Sequence, residues 1–100
     1  KVAPSSPDPV AGGGGVPPGR LVLLTREGCG LCEEFEAELQ AFGARRPLPP
    51  LETIDVDSDP VLRRRFGDRI PVLLWDGEPV AVTHFDAAEM ERLFRPRHPL

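Results

Sequence analysis

Two continuous apolar runs, Leu21-Val-Leu-Leu24 and Pro71-Val-Leu-Leu-Trp75, stand apart from a chain whose remaining apolar residues are spaced. Short unbroken runs bounded by polar turns fit strands covered on both faces, so both belong in the middle of a sheet. The first is read as a strand over Arg20 to Thr25. Leu51 to Val56 alternates instead, with Ile54 and Val56 on one side and Thr53 and Asp55 on the other. Pro79 to Thr83 opens on a proline, which has no N–H for a ladder. These two are predicted to be edge strands.

Between the strands the period changes to that of a helix. Leu31, Phe35, Leu39 and Phe42 form one apolar stripe, which predicts a helix from about Cys29 to Phe42 with Gly43 as its C-terminal cap. Asp59 as N-cap, Pro60 at the first helical position, Leu62 and Phe66 facing inward and Gly67 as the stop define a shorter second helix. A third begins at Asp86-Ala-Ala-Glu89, carries Met90, Leu93 and Phe94 on one face, and is ended by Pro96.

The predicted order is β-α-β-α-β-β-α. Helical connections imply that the first three strands run parallel, and Asp76-Gly77 signals a tight antiparallel hairpin between the third and fourth. With the two apolar runs central, the strand order is 2-1-3-4. The class is α/β, a four-stranded mixed sheet flanked by helices.

Residues 1–19 are rich in Pro, Gly, Ser and Ala and carry almost no large apolar side chains. Such a segment buries too little surface to offset its ordering entropy, so it is read as a flexible tail, leaving residues 20–100 as the domain. The formal net charge of -4 argues against a nucleic-acid partner. Arg63-Arg64-Arg65 fan around a helix and read as a solvated face. The first twenty residues contain no signal-peptide core, and no run approaches the roughly 18 apolar residues of a membrane span. A cytoplasmic protein without membrane contact, monomeric, is the expectation. Trp75 and the phenylalanines are assigned to the core, and His84 to the rim of a strand end.

Within that frame the only two cysteines acquire a position. Cys29 falls where a central strand turns through Gly28 into a helix, beside unpaired backbone N–H groups and the positive end of the helix dipole, which favours a thiolate. Cys32, one turn on, is placed to attack a mixed disulfide formed at Cys29. Glu27, Glu33 and Glu34 oppose the thiolate, and Arg26 supports it.

The arrangement resembles the thioredoxin superfold, and within it the small glutaredoxin-like bacterial proteins. The resemblance is carried by Leu23-Leu-Thr-Arg-Glu-Gly-Cys-Gly-Leu-Cys32, Ile54-Asp-Val-Asp-Ser-Asp-Pro60, Phe66-Gly-Asp-Arg-Ile-Pro-Val-Leu-Leu74 and Asp76-Gly-Glu-Pro79. It implies a thioredoxin-like (glutaredoxin-type) fold and a thiol–disulfide oxidoreductase with Cys29 as nucleophile and Cys32 as resolving thiol. It further implies a cis Ile70-Pro71 bond forming a wall of the substrate groove, no metal, and no cofactor apart from glutathione as a co-substrate. By similarity Asp86 holds the glutathione amino group and Arg26 a carboxylate. Asp55 and Asp57 are read as strand-end solvation, with a proton-accepting carboxylate beneath the cysteines as the alternative that similarity to thioredoxin implies. The expected partners are a protein or small-molecule disulfide as substrate, and a dithiol protein or glutathione as donor.

The chain departs from the family in having Cys-Gly-Leu-Cys where glutaredoxins have Cys-Pro-Tyr-Cys. Val82-Thr-His-Phe-Asp86 replaces the paired glycines that approach glutathione, which favours a dithiol protein as donor. The alternative is an iron–sulfur or partner-binding module on the same fold, without exchange activity. A structural zinc site lacks a second ligand pair.

Overall fold

The computed structural model describes residues 16–95. Four strands, β1 (Leu21–Thr25), β2 (Leu51–Asp55), β3 (Val72–Trp75) and β4 (Glu78–Val82), form one sheet in the order β2-β1-β3-β4. The helices are α1 (Gly30–Arg45), α2 (Pro60–Phe66) and α3 (Ala87–Leu93), with a single 3-10 turn at Val56–Ser58. Element order and strand order agree with the pattern of apolar runs, and the alternating and proline-bearing strands lie at the edges.

Side chains leave a strand alternately on its two faces, and the core divides accordingly. Leu21, Leu23 and Leu73 join Phe35, Leu39 and Phe42 of α1 with Met90 and Phe94 in one cluster. Leu24, Val72 and Leu74 project to the other side, against Val56 and Phe66. The sheet is therefore a middle layer between α1 with α3 and α2. Covering on both faces is why β1 and β3 are continuously apolar.

One expectation is overturned. β1 and β2 are parallel, but β3 runs antiparallel to β1, with Leu21 opposite Trp75 and Leu24 opposite Val72. The reason is the length of the connection. The seven residues of α2 rise only about 10 Å, too little to carry the chain back along a five-residue strand of about 17 Å. The connection stays at the carboxyl end of β2, and β3 starts from there.

Helix ends follow capping chemistry. The Asp59 carboxylate accepts from the N–H of Val61 at 2.8 Å, and that of Asp86 from the N–H of Glu89 at 3.2 Å. Gly67 ends α2 as predicted, its N–H donating to the Arg63 carbonyl at 2.8 Å. Gly43 does not cap α1, which runs on to Arg45 and is closed by the Arg46 N–H on the Phe42 carbonyl at 2.9 Å. The apolar stripe stops at Phe42, but nothing in Gly43 to Arg45 breaks a helix. α3 closes at Phe94 among the described residues, and Pro96, read as its terminator, lies outside them.

Asp76 and Gly77 both have positive φ, 52° and 87°, the conformation that two-residue hairpin turns require. The segment before β1 docks on this hairpin. The Trp75 indole N–H donates to the Pro18 carbonyl at 3.0 Å, and the Arg20 N–H to the Asp76 carboxylate at 3.0 Å. Pro18 and Gly19, read from the sequence as the end of a tail, are thus held in place. Residues 1–15 of that tail lie outside the described residues.

Candidate active site

The turn after β1 brings both cysteines to the amino end of α1. Gly28 adopts φ 74°, and a Cβ there would meet nothing within 4 Å, so the backbone angle and not space requires glycine. Cys29 is the N-cap residue, and its sulfur accepts the Cys32 N–H at 3.0 Å. Sulfur stands where a Ser or Asp oxygen commonly caps a helix. Cys29 and Cys32 are joined in a disulfide. Their exposure differs: Cys29 is partly exposed, whereas Cys32 is only 3% exposed, in place on the inner face of α1.

Leu31, between them, belongs by sequence spacing to the apolar stripe of Phe35, Leu39 and Phe42. It is 47% exposed. The stripe therefore enters the core only from Phe35 onward.

Arg26, expected to meet a substrate carboxylate, is engaged within the chain. Its Nε and Nη2 donate to the two carboxylate oxygens of Asp57 at 2.8 and 3.0 Å, and its Nη1 donates to the Gly67 carbonyl at 3.3 Å. Hydrogen bonding to Arg26 holds the Asp57 carboxyl below its ordinary range, and the same pair raises the Arg26 guanidinium. One side chain therefore ties the active-site turn to the 3-10 turn and to the end of α2. Asp55 uses its carboxylate locally, accepting the Asp57 N–H at 2.9 Å.

The Ile70-Pro71 peptide bond is cis, as the resemblance implies. Leu24 pairs with Val72, so one step further along the register Pro71 lies across from Thr25, at the end of β1 that leads to Cys29. Thr83 fixes this loop. Its N–H donates to the Pro71 carbonyl at 2.7 Å and its hydroxyl to the Arg69 carbonyl at 2.9 Å. Pro71 is buried and Ile70 half-buried. Asp86, the residue assigned to a glutathione amino group, is exposed and caps α3.

Sequence reasoning missed a cleft of about 250 Å³ between α1 and the segment after β4, lined by Leu31, Glu34, Phe35, Glu38, Thr83, His84 and Phe85. Within that lining Phe85 packs edge-on to Phe35 at 5.4 Å and to Phe42 at 6.1 Å. The available signal was the pair Glu34 and Glu38, one helical turn apart just after the cysteines. Among the described residues no group of three or more His, Cys, Asp or Glu is arranged to hold a metal ion. No described helix is long and apolar enough to cross a membrane.

A mixed sheet in the order 2-1-3-4, a Cys-X-X-Cys opening the helix after the first strand, and a cis-proline opening the third define a thioredoxin-superfamily domain. Residues 20–95 match the family described as Glutaredoxin-like domain (DUF836), and the chain belongs to that family. Over 63 residues it is 42% identical to the uncharacterized protein Rv0508 of Mycobacterium tuberculosis (strain ATCC 25618 / H37Rv). The same identity is found with Mb0520 of Mycobacterium bovis. These matches take in 58% of this chain and 64% of the relatives, a little under two thirds of their length.

Among solved structures it is similar to Northeast Structural Genomics target protein XcR50 from X. campestris, with a TM-score of 0.56 and 27% identity over 73% of this chain and 92% of that one. It is also similar to a mutant thioredoxin from Halobacterium salinarum NRC-1, with a TM-score of 0.50 and 26% identity over 75% of this chain and 70% of that one.

Proposed function

We propose that this domain catalyses thiol–disulfide exchange through Cys29 and Cys32. The observation that carries the reading is the unequal exposure of the two cysteines at the start of α1. Cys29 is partly exposed to a partner, whereas Cys32 is buried at 3% exposure.

In the reduced protein the Cys29 thiolate attacks a substrate disulfide, forming a mixed disulfide and releasing one substrate thiolate. The Cys32 thiolate then attacks the Cys29 sulfur. This releases the second substrate thiol and closes the Cys29–Cys32 bond, so two electrons pass from the pair to the substrate. An external dithiol, or two monothiols in turn, reduces the Cys29–Cys32 bond by two such exchanges and leaves as its own disulfide. The Cys32 N–H that reaches the Cys29 sulfur, together with the positive end of α1, stabilises negative charge on that sulfur.

Ile70 serves as the substrate's backbone partner. Its N–H and C=O form no hydrogen bond among the described residues, and it stands beside the buried Pro71 at the sulfur end of the sheet. An extended peptide pairs with such a segment as a further strand.

A dithiol protein is the donor we favour over glutathione. Thr83, His84 and Phe85 carry side chains where glutaredoxins present bare glycine backbone, and Arg26 is already occupied by Asp57. The iron–sulfur alternative is less well supported, because a cluster takes four ligands and this chain has two cysteines.

The test is a redox titration of the Cys29–Cys32 pair against a thiol buffer, with turnover of a small disulfide by the reduced form. A defined two-electron midpoint with turnover supports the reading. A pair that titrates without turning over any disulfide leaves a binding module.

A further inference from the structure

We propose that the cleft beside the cysteines docks a basic segment of a protein disulfide, and that Glu34 and Glu38 select such partners. The proposal builds on the reading of Cys29 and Cys32 as an exchange centre, and it names the partner's chemistry.

The cleft itself, and not its charge, makes the site. Its aromatic lining is fixed, because Phe85 is wedged edge-on against Phe35 and Phe42, while most of the surface that the cleft presents is polar. Leu31, next to both cysteines, stands 47% exposed on its rim. The far wall is Thr83, whose two hydrogen bonds tie it to the loop carrying Pro71. A chain lying across the sulfurs and along α1 meets all three.

Charge then decides the occupant. Glu34 and Glu38 are like charges one helical turn apart, an arrangement unfavourable to the helix that carries them. Neither forms an ion pair among the described residues, and neither do Glu27, Glu33 and Glu36. The cation of the active-site turn, Arg26, is neutralised by Asp57. The cleft wall on α1 is therefore negative, with one exposed apolar side chain, Leu31, at its rim. A Lys or Arg side chain suits both properties, with its methylene stem on Leu31 and Phe85 and its head between the carboxylates.

Helix geometry gives the spacing. At 1.5 Å per residue, Glu34 and Glu38 lie about 8 and about 14 Å beyond Cys29 along the axis. An extended peptide advances about 3.3 Å per residue. The basic residue thus belongs two to four positions from the cysteine under attack.

The experiment uses the full chain and disulfide-linked peptides that carry arginine, glutamine or glutamate at those positions on either side of a single cysteine. An uncharged small disulfide is the reference. The arginine peptide is expected to be reduced about tenfold faster than the glutamate peptide at low salt, with the ratio shrinking in high salt. The ratio should fall towards one in Glu34→Gln/Glu38→Gln and persist in Glu52→Gln, on the far edge strand.

Peptides with serine in place of cysteine measure docking apart from exchange, by fluorescence anisotropy. Tighter binding of the arginine peptide, lost in the double glutamine variant, is expected. Equal binding of arginine and glutamate peptides overturns the proposal whatever the exchange assay returns. Failure to turn over any disulfide removes the exchange reading alone and leaves the binding result to decide. Dimers in sedimentation that the double glutamine variant dissolves would assign the cleft to a second copy and overturn the proposal.

Discussion

Arg26 grips Asp57 with two guanidinium nitrogens, at 2.8 and 3.0 Å, across 31 residues of sequence. The Asp57 carboxyl is consequently depressed in the folded protein relative to an ordinary value of about 3.9. A group depressed by folding contributes stability above its unfolded pKa and loses it as pH falls through its folded pKa. The stability difference between the wild type and Asp57→Asn should therefore be constant at neutral pH and shrink below about pH 4. Urea midpoints at pH 7 and pH 3 measure it. A difference as large at pH 3 as at pH 7 would mean that the ion pair is not its source.

Exchange should separate the two cysteines. Cys29→Ser is expected to abolish turnover, a loss of several orders of magnitude, because the nucleophile is gone. Cys32→Ser should retain the first attack and accumulate a mixed disulfide at Cys29, visible as a mass increase equal to the substrate thiol. The absence of that adduct would reverse the assigned order of attack.

Two leucines of one sequence stripe should behave differently. Leu39 is 1% exposed, and Leu39→Ala should cost about 2–5 kcal/mol. Leu31→Ser should stay within about 0.5 kcal/mol, as for an exposed site. Equal costs in denaturant titrations would show that Leu31 is packed in solution.

Glycine to alanine should have opposite signs at two positions. A Cβ on Gly67 would lie 2.5 Å from the Arg63 carbonyl oxygen, a backbone atom that cannot move aside. Gly67→Ala is expected to destabilise by about 1–3 kcal/mol. At Gly43, inside α1, the nearest atom is the Leu48 Cδ1 at 3.3 Å, the movable end of a side chain. Gly43→Ala should stabilise by up to about 1 kcal/mol, the gain in helix propensity. Thermal midpoints of the two variants, shifted in the same direction, would contradict this assignment.

Reduction by glutathione should be slower than reduction by a dithiol protein at matched potential, starting from the oxidised pair. Faster turnover with glutathione, diminished in Arg26→Ala, would restore the ordinary glutaredoxin assignment of Arg26.

The strands, their order and the caps at Asp59 and Asp86 were legible because each is written locally, in a two-residue or 3.6-residue period or in a single side chain. The direction of β3 was not, since apolar run length says that a strand is buried and nothing about which way it enters the sheet. That direction depended on the rise of α2. The cysteine turn was legible from Gly28-Cys29-Gly30-Leu31-Cys32. The engagement of Arg26 was hidden, because Asp57 belongs to a 3-10 turn whose position is set by the register of β2 against β1. The cleft was hidden for a related reason. Phe85 reads as one more core aromatic, and only its seat against Phe35 and Phe42 leaves space in front of it.

The hydrogen bond from Trp75 to Pro18 has an optical consequence. Trp75 is the chain's one tryptophan, tilted against Phe94 with ring centroids 4.6 Å apart. It pairs with Leu21 at the start of β1, whereas the disulfide follows the end of that strand. Indole fluorescence will thus register unfolding and release of the Pro18 segment while staying nearly silent when the sulfurs change oxidation state. Redox cycling of this domain is better followed by thiol labelling or mass than by its intrinsic emission.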